Sequence, residues 1–191
     1  MNDASSIRAI LDFWFLAHDH PEHGKRREVW WQSTPEFDEE IRVRFGGLLD
    51  PAIAGQLDAW RRSPGGALAL VLLCDQLPRN MHRRTARAFA GDAKARESAR
   101  HAVGRGYPAA FPKDMRLFFF MPFQHSENLG DQDFACSLFA TLEDPESDKY
   151  ALEHREVIAR FGRFPHRNEV LGRTSTKEEL EYLRSAKRYG Q

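Results

Sequence analysis

Residues 64–81 read PGGALALVLLCDQLPRNM, and this stretch decides the fold class. Leu68, Ala69, Leu70, Val71, Leu72 and Leu73 are apolar on every side of a helical wheel. A helix that is apolar all round is a central, buried one. Ser63 is placed to cap it, and Pro64 suits its first position. Pro78 ends or kinks it, because proline lacks an N–H and its ring crowds the preceding turn.

The helical period continues on both sides. Ile7, Ile10, Leu11, Trp14 and Phe15 form one apolar stripe. Ser33-Thr34-Pro35-Glu36 reads as a start signal with Ser33 as cap. Phe37, Ile41 and Phe45 then share a face, and Gly46-Gly47 is expected to stop that helix. Leu57 and Trp60 belong to a short helix. Asp92 is expected to cap a helix that carries Ala95, Ala99, Ala102 and Val103 on one face. Asp114 to Phe120 reads as helix, although its Phe triplet also suits a short strand. Phe134, Leu138 and Leu142 mark another helix, and Tyr150, His154, Val157, Ile158 and Phe161 the next. Ser175-Thr176-Lys177-Glu178 reads as a capping box for the last. With about eight to ten helices and no alternation of period two, the expected fold is all-α. No linker or low-complexity stretch interrupts the chain, so residues 1–191 read as one domain of stacked helical hairpins.

The chain has 191 residues, with 28 Lys and Arg against 28 Asp and Glu, so its formal charge is zero. At 41% apolar and 29% charged it is neither a disordered nor a membrane composition. The longest apolar run, Ala67 to Cys74, is too short to cross a bilayer. The first residues lack the pattern of a signal peptide, and two cysteines make no disulfide framework, so a cytoplasmic setting is expected. Neutrality hides blocks of net −4 (1–78), +7 (79–116), −7 (117–156) and +4 (157–191). The basic block invites nucleic acid, but overall neutrality and the lack of a recognised motif disfavour it.

Several motifs can be rejected. Gly104 to Ala109 fits a loose dinucleotide pattern, yet it follows a helix and contains Pro108, whereas the pyrophosphate needs a strand-to-helix turn. There is no Walker loop, nucleophile elbow or H-E-x-x-H pair. Cys74 and Cys136 lie on apolar helices and read as small core residues.

Polar residues beside apolar runs are the candidate site. Asp75, Gln76, Arg79 and Asn80 directly follow the buried helix, and Asp75 sits one step from Val71 and Leu72. A buried carboxylate needs partners. Helix-end electrostatics with Asp75 tied to an arginine is the plainer account. His125 and Glu127 are two apart, so they converge only where the chain bends, near Pro122. Ser126 as a helix cap with Glu127 in the first turn explains both of those residues but not His125. His154 sits on an apolar face, where a hydrogen-bonded core histidine is the usual outcome. From Arg160 to Asn168, arginines, His166 and Asn168 alternate with Phe161, Phe164 and Pro165. Arginine forks suit a carboxylate or phosphate, or else neutralise Asp75 or Glu127 internally. No histidine or acidic pair has a diagnostic metal spacing, so no metal is assigned.

The strings LLCDQLPRNMHRRTARAFAGDAKA, MPFQHSENLGDQ and RFGRFPHRNEVLGR, with LDFWF near the start, resemble a bacterial family, domain of unknown function family 924. The resemblance covers nearly the whole chain. It implies an all-helical, tetratricopeptide-repeat-like fold and carries no established activity. Its polar signature falls on Asp75, Gln76, Arg79, Asn80, Asp92, His125, Ser126, Glu127, Gln132, His154, Arg163, His166, Arg167 and Asn168. Leu77 and His82 stand where phenylalanine and tyrosine are usual in the family.

The expected function is a polar, aromatic-lined pocket for a small anionic molecule. Arg79, Arg163 and Arg167 would hold the anion, with Asn80, Gln132 and Asn168 orienting it. Asp75, Gln76 and His154 complete the ligand set. If chemistry occurs, His125 is the first acid/base group, its tautomer fixed by Glu127 or Asp75, and His166 the second. An interaction module that clamps an acidic peptide is one alternative. A purely structural polar network is the other. The residues name no cofactor, reaction or oligomeric state.

Overall fold

The computed structural model describes residues 3–185 and is helical throughout, with no strand among the described residues. Eight α-helices follow in order: α1 Asp3–Phe15, α2 Pro35–Ile53, α3 Pro64–Met81, α4 Asp92–Gly104, α5 Lys113–Gln124, α6 Leu129–Ala140, α7 Pro145–Phe161 and α8 Lys177–Ser185. Short 3-10 turns occupy Glu28–Trp30, Asp58–Arg62, Ala86–Phe89, Tyr107–Ala110 and Pro165–Arg167. From α2 to α7 each helix packs on its successor, while α3 also meets α1 and α5. No described helix is long and apolar enough to cross a membrane.

Helix α3 is the axis of the molecule. Every residue from Gly66 to Arg79 is buried. Ser63 caps it as expected, its Oγ accepting from the N–H of Gly66 at 3.2 Å, with Pro64 at the first position. Pro78 does not end the helix, which runs on to Met81. The Phe triplet of α5 is helical, and Phe118, Phe119 and Phe123 are wholly buried. Phe118 meets Trp14, Phe15 and Trp30 edge-on, with ring centres 4.9–5.7 Å apart. The Arg27 guanidinium donates to the carbonyls of Phe13 and Trp14, both at 2.8 Å, so it closes the C-terminal end of α1.

Five local expectations are corrected. Thr34, not Ser33, caps α2 by accepting from Phe37 N–H, while Ser33 donates to Asp38 at 2.6 Å. Gly46-Gly47 lies inside α2 rather than after it, because Leu49 and Ala52 beyond the pair are buried and hold the helix on. Gly91 takes the cap position of α4, and Asp92 lies inside its first turn. Asn128, not Ser126, caps α6, and the last capping box pairs Thr176 with Glu179, one position later than read.

Candidate functional site

The site begins where α3 stops being purely apolar. Asp75 is fully buried, and it meets three partners. His125, just after α5, donates from Nδ1 to Asp75 Oδ1 at 2.8 Å. Arg79, one turn along α3, places Nη1 3.2 Å from the same oxygen and 2.6 Å from the Asp75 carbonyl. Gln76 donates to Asp75 Oδ2. Burial works against the carboxylate charge, but His125, Arg79 and the hydrogen bonds hold its pKa well below the usual range. Asp75 is therefore ionised and acts as an acceptor.

That assignment fixes His125. A carboxylate only accepts, so Nδ1 carries the proton and the lone pair lies on Nε2. The imidazole side chain is 15% exposed against 1% for the Asp75 side chain, so the histidine is the outward member of the pair. Burial lowers the His125 pKa, and the pull of Asp75 does not reverse it because Arg79 pushes the other way. The resting pair is a neutral base on an ionised, buried support.

A second layer comes from α4 and the Pro165–Arg167 turn. Arg79 forks onto Asp92, with contacts of 2.8 and 3.2 Å. Arg167, buried at 6% exposure, reaches Asp92 Oδ2 through Nη1 at 3.4 Å. Its guanidinium carbon sits over Phe89 at 4.6 Å and over Phe164 at 4.5 Å. Burial, then the charge of Arg79, brings the Arg167 pKa down to about 10. His154 lies with its ring 6.5 Å from that of His125 and 5.6 Å from Phe164, and Nδ1 donates to the Tyr150 carbonyl at 2.8 Å. His166 lies 5.4 Å from Phe164, ring centre to ring centre. Burial brings both His154 and His166 down to about 3, so both are neutral at pH 7.

The remaining candidate residues serve other contacts. Arg163 forks onto Glu179 at 2.6 and 2.8 Å and donates to the Thr174 carbonyl. Asn168 donates to Ser175 Oγ and Glu179 Oε2. Glu127 accepts from Phe164 N–H at 2.8 Å and from the Arg173 fork at 2.7 and 2.9 Å, so it anchors the chain after α7 rather than His125. Asn80 ties α3 to α2 through Asp38 at 2.7 Å. Gln132 donates to the Gln124 and Ser126 carbonyls at 2.7 and 2.6 Å, and so fixes the chain on either side of His125. Among the described residues no three His, Cys, Asp or Glu side chains group as metal ligands. Burial raises both cysteine thiols, Cys74 to about 12, which leaves them protonated.

Residues 10–187 match the model of a family described as a bacterial protein of unknown function, DUF924. The chain belongs to the DUF924 family. A solved structure of a protein of unknown function from Agrobacterium tumefaciens is 38% identical and superposes with a TM-score of 0.88. That match covers 97% of this chain and 100% of the other. Comparison with curated proteins finds no match. The family resemblance seen in the motifs is thus established, and with it a helical fold shared by this DUF924 chain and its neighbour.

Sequence reasoning undervalued Asp92, Phe89 and Arg173. Asp92 looked like a cap, yet it joins the two buried arginines. Apart from its place in the polar signature of the family resemblance, its signal was a carboxylate within the first turn after Gly91, which every capping motif also shows.

Proposed function

We propose that this DUF924 protein binds a small anionic ligand beside His125, with His125 as the acid/base group and Asp75 as the residue that orients it. The observation that carries this reading is the 2.8 Å bond from His125 Nδ1 to a wholly buried Asp75. A buried carboxylate behind an imidazole fixes its tautomer and stabilises the imidazolium once a proton is taken. Arg167 supplies the positive edge, and Arg79 stands behind it as the counter-ion of Asp75 and Asp92. His154 and His166, neutral and partly enclosed, line the same region. A peptide clamp on tetratricopeptide-like hairpins has less support, because Arg163 and Arg173 are already taken by Glu179 and Glu127. A reducing, cytoplasmic setting fits the two unpaired cysteines.

The test is an NMR titration of the histidine ring protons of the full chain with acetate and, separately, inorganic phosphate. At least one anion is expected to shift the His125 ring signals in a saturable way and to raise its apparent pKa. Signals that stay in place with both anions sink the acid/base reading of His125.

A further inference from the structure

Three arginines were expected to share the work of holding an anion, and their hydrogen bonds separate them. Arg79 spends both terminal nitrogens on Asp75 and Asp92 and leaves only its Nε without an acceptor, and Arg163 is spent on Glu179 and Thr174. Arg167 is not. A guanidinium offers five N–H donors in a plane. Among the described residues Arg167 uses one, in the long 3.4 Å contact to Asp92, and its buried Nε meets no acceptor. A cation this deeply buried with so little hydrogen bonding is costly.

The surroundings limit what can satisfy it. Aromatic ring faces of Phe89 and Phe164 lie 4.6 and 4.5 Å from the guanidinium carbon and offer no acceptor. Nη1 is held towards Asp92. The unused edge is that of Nε and Nη2, and two parallel N–H groups on one edge match the two oxygens of a carboxylate. Charge narrows the guest further. Arg79 and Arg167 are balanced by Asp75 and Asp92, linked through the contacts above. A single negative charge disturbs this dry, balanced group less than the double charge of a phosphate does.

We infer that the ligand of this site is a small monocarboxylate, held by the Nε–Nη2 edge of Arg167 between Phe89 and Phe164. The inference rests on the acid/base reading of His125 for its place in a reaction, but not for the binding itself. Arg79 is the counter-ion of the two aspartates and Arg163 a brace for the C-terminal segment.

The experiment is a titration of the isotope-labelled full chain with acetate and with inorganic phosphate, reading the Arg167 Nε–H signal. It is repeated on Arg167→Lys, Arg163→Lys and His125→Gln. Acetate is expected to move the Arg167 signal saturably. Lysine cannot present two parallel donors, so Arg167→Lys should weaken acetate by about tenfold or more. Arg163→Lys should bind as the parent does. No saturable shift with acetate, an Arg167→Lys variant that binds as well as the parent, or phosphate binding tighter than acetate overturns the inference. If Arg167→Lys does not fold, the Nε–H signal of the unaltered chain decides alone. Acetate binding that persists in His125→Gln, with His125 signals unmoved in the parent, removes the acid/base reading and leaves the carboxylate site standing.

Discussion

At the scale of single residues, His154 couples pH to folding. Burial takes its pKa from an ordinary 6.5 to about 3, and His166 follows in the same direction. The folded chain therefore refuses protons that the unfolded chain binds. The stabilisation is complete above about pH 6.5 and is lost as pH falls towards 3. Each such histidine contributes a slope of at most about 1.4 kcal/mol per pH unit. The urea midpoint should fall steadily between pH 6.5 and 4, and His154→Asn should flatten that fall. An unchanged slope would show that His154 is protonated in the fold. Asp75 gives the companion prediction. Asp75→Asn leaves Arg79 short of a counter-charge and gives His125 a neutral amide in place of a carboxylate, at a cost of about 3–5 kcal/mol in urea unfolding at pH 7. A cost below about 1 kcal/mol would place the pair among those that contribute little.

At the scale of elements, the junction of α3 and α4 delivers Asp92 to the site. Pro78 cannot donate to the carbonyl four residues back, that of Cys74. The chain at Gly91 comes down on that carbonyl: a Cβ there would lie 2.2 Å from Cys74 O and 2.9 Å from Cys74 Cα. Both are backbone atoms inside a buried helix, so neither can yield cheaply. Gly91→Ala should cost about 1–3 kcal/mol and draw Asp92 away from Arg79, seen as a lower melting temperature. Gly47 is the contrasting case. It is exposed within α2, and a Cβ there meets nothing within 4 Å. Gly47→Ala should raise stability by about 0.5–1 kcal/mol. The same substitution thus takes opposite signs at the two positions, and two equal signs in thermal melts would refute the account.

At the scale of the whole molecule, the segment after α7 is fastened by charge and by a small core of its own. Gly162, with φ of 68°, turns the chain out of α7, and Val157, Ile158 and Phe164 form a cluster apart from the main core. Glu127 accepts from both Phe164 N–H and Arg173. Glu127→Gln should speed hydrogen exchange across residues 164–185 while α3 stays protected. Equal change in both regions would mean that the segment opens only with the whole fold. The charge blocks meet as their signs require in several places: Arg83 with Asp38, Arg87 with Asp50, Arg100 with Asp131, and Arg173 with Glu127. Two pairs do not follow the blocks, since Arg79 meets Asp92 and Arg163 meets Glu179 within their own.

The sequence by itself determined the helices, the central place of α3, the family, and the residues that carry unusual polarity. These depend on period and on local composition, which a single chain displays directly. Cap positions were legible to within two residues, since Ser33 and Thr34, Gly91 and Asp92, or Ser126 and Asn128 offer nearly equal local chemistry, and packing chooses between them. Partners were not legible. Asp75 and His125 are 50 positions apart, and Asp92 and Arg167 are 75 apart. Spacing of that size says nothing about contact. Only the tertiary structure decided that Glu127 and Arg163 brace the C-terminal segment, while Arg167, wrapped by Phe89 and Phe164, keeps most of its donors unspent. The physical reason is that a buried charge takes the partner that packing brings nearest.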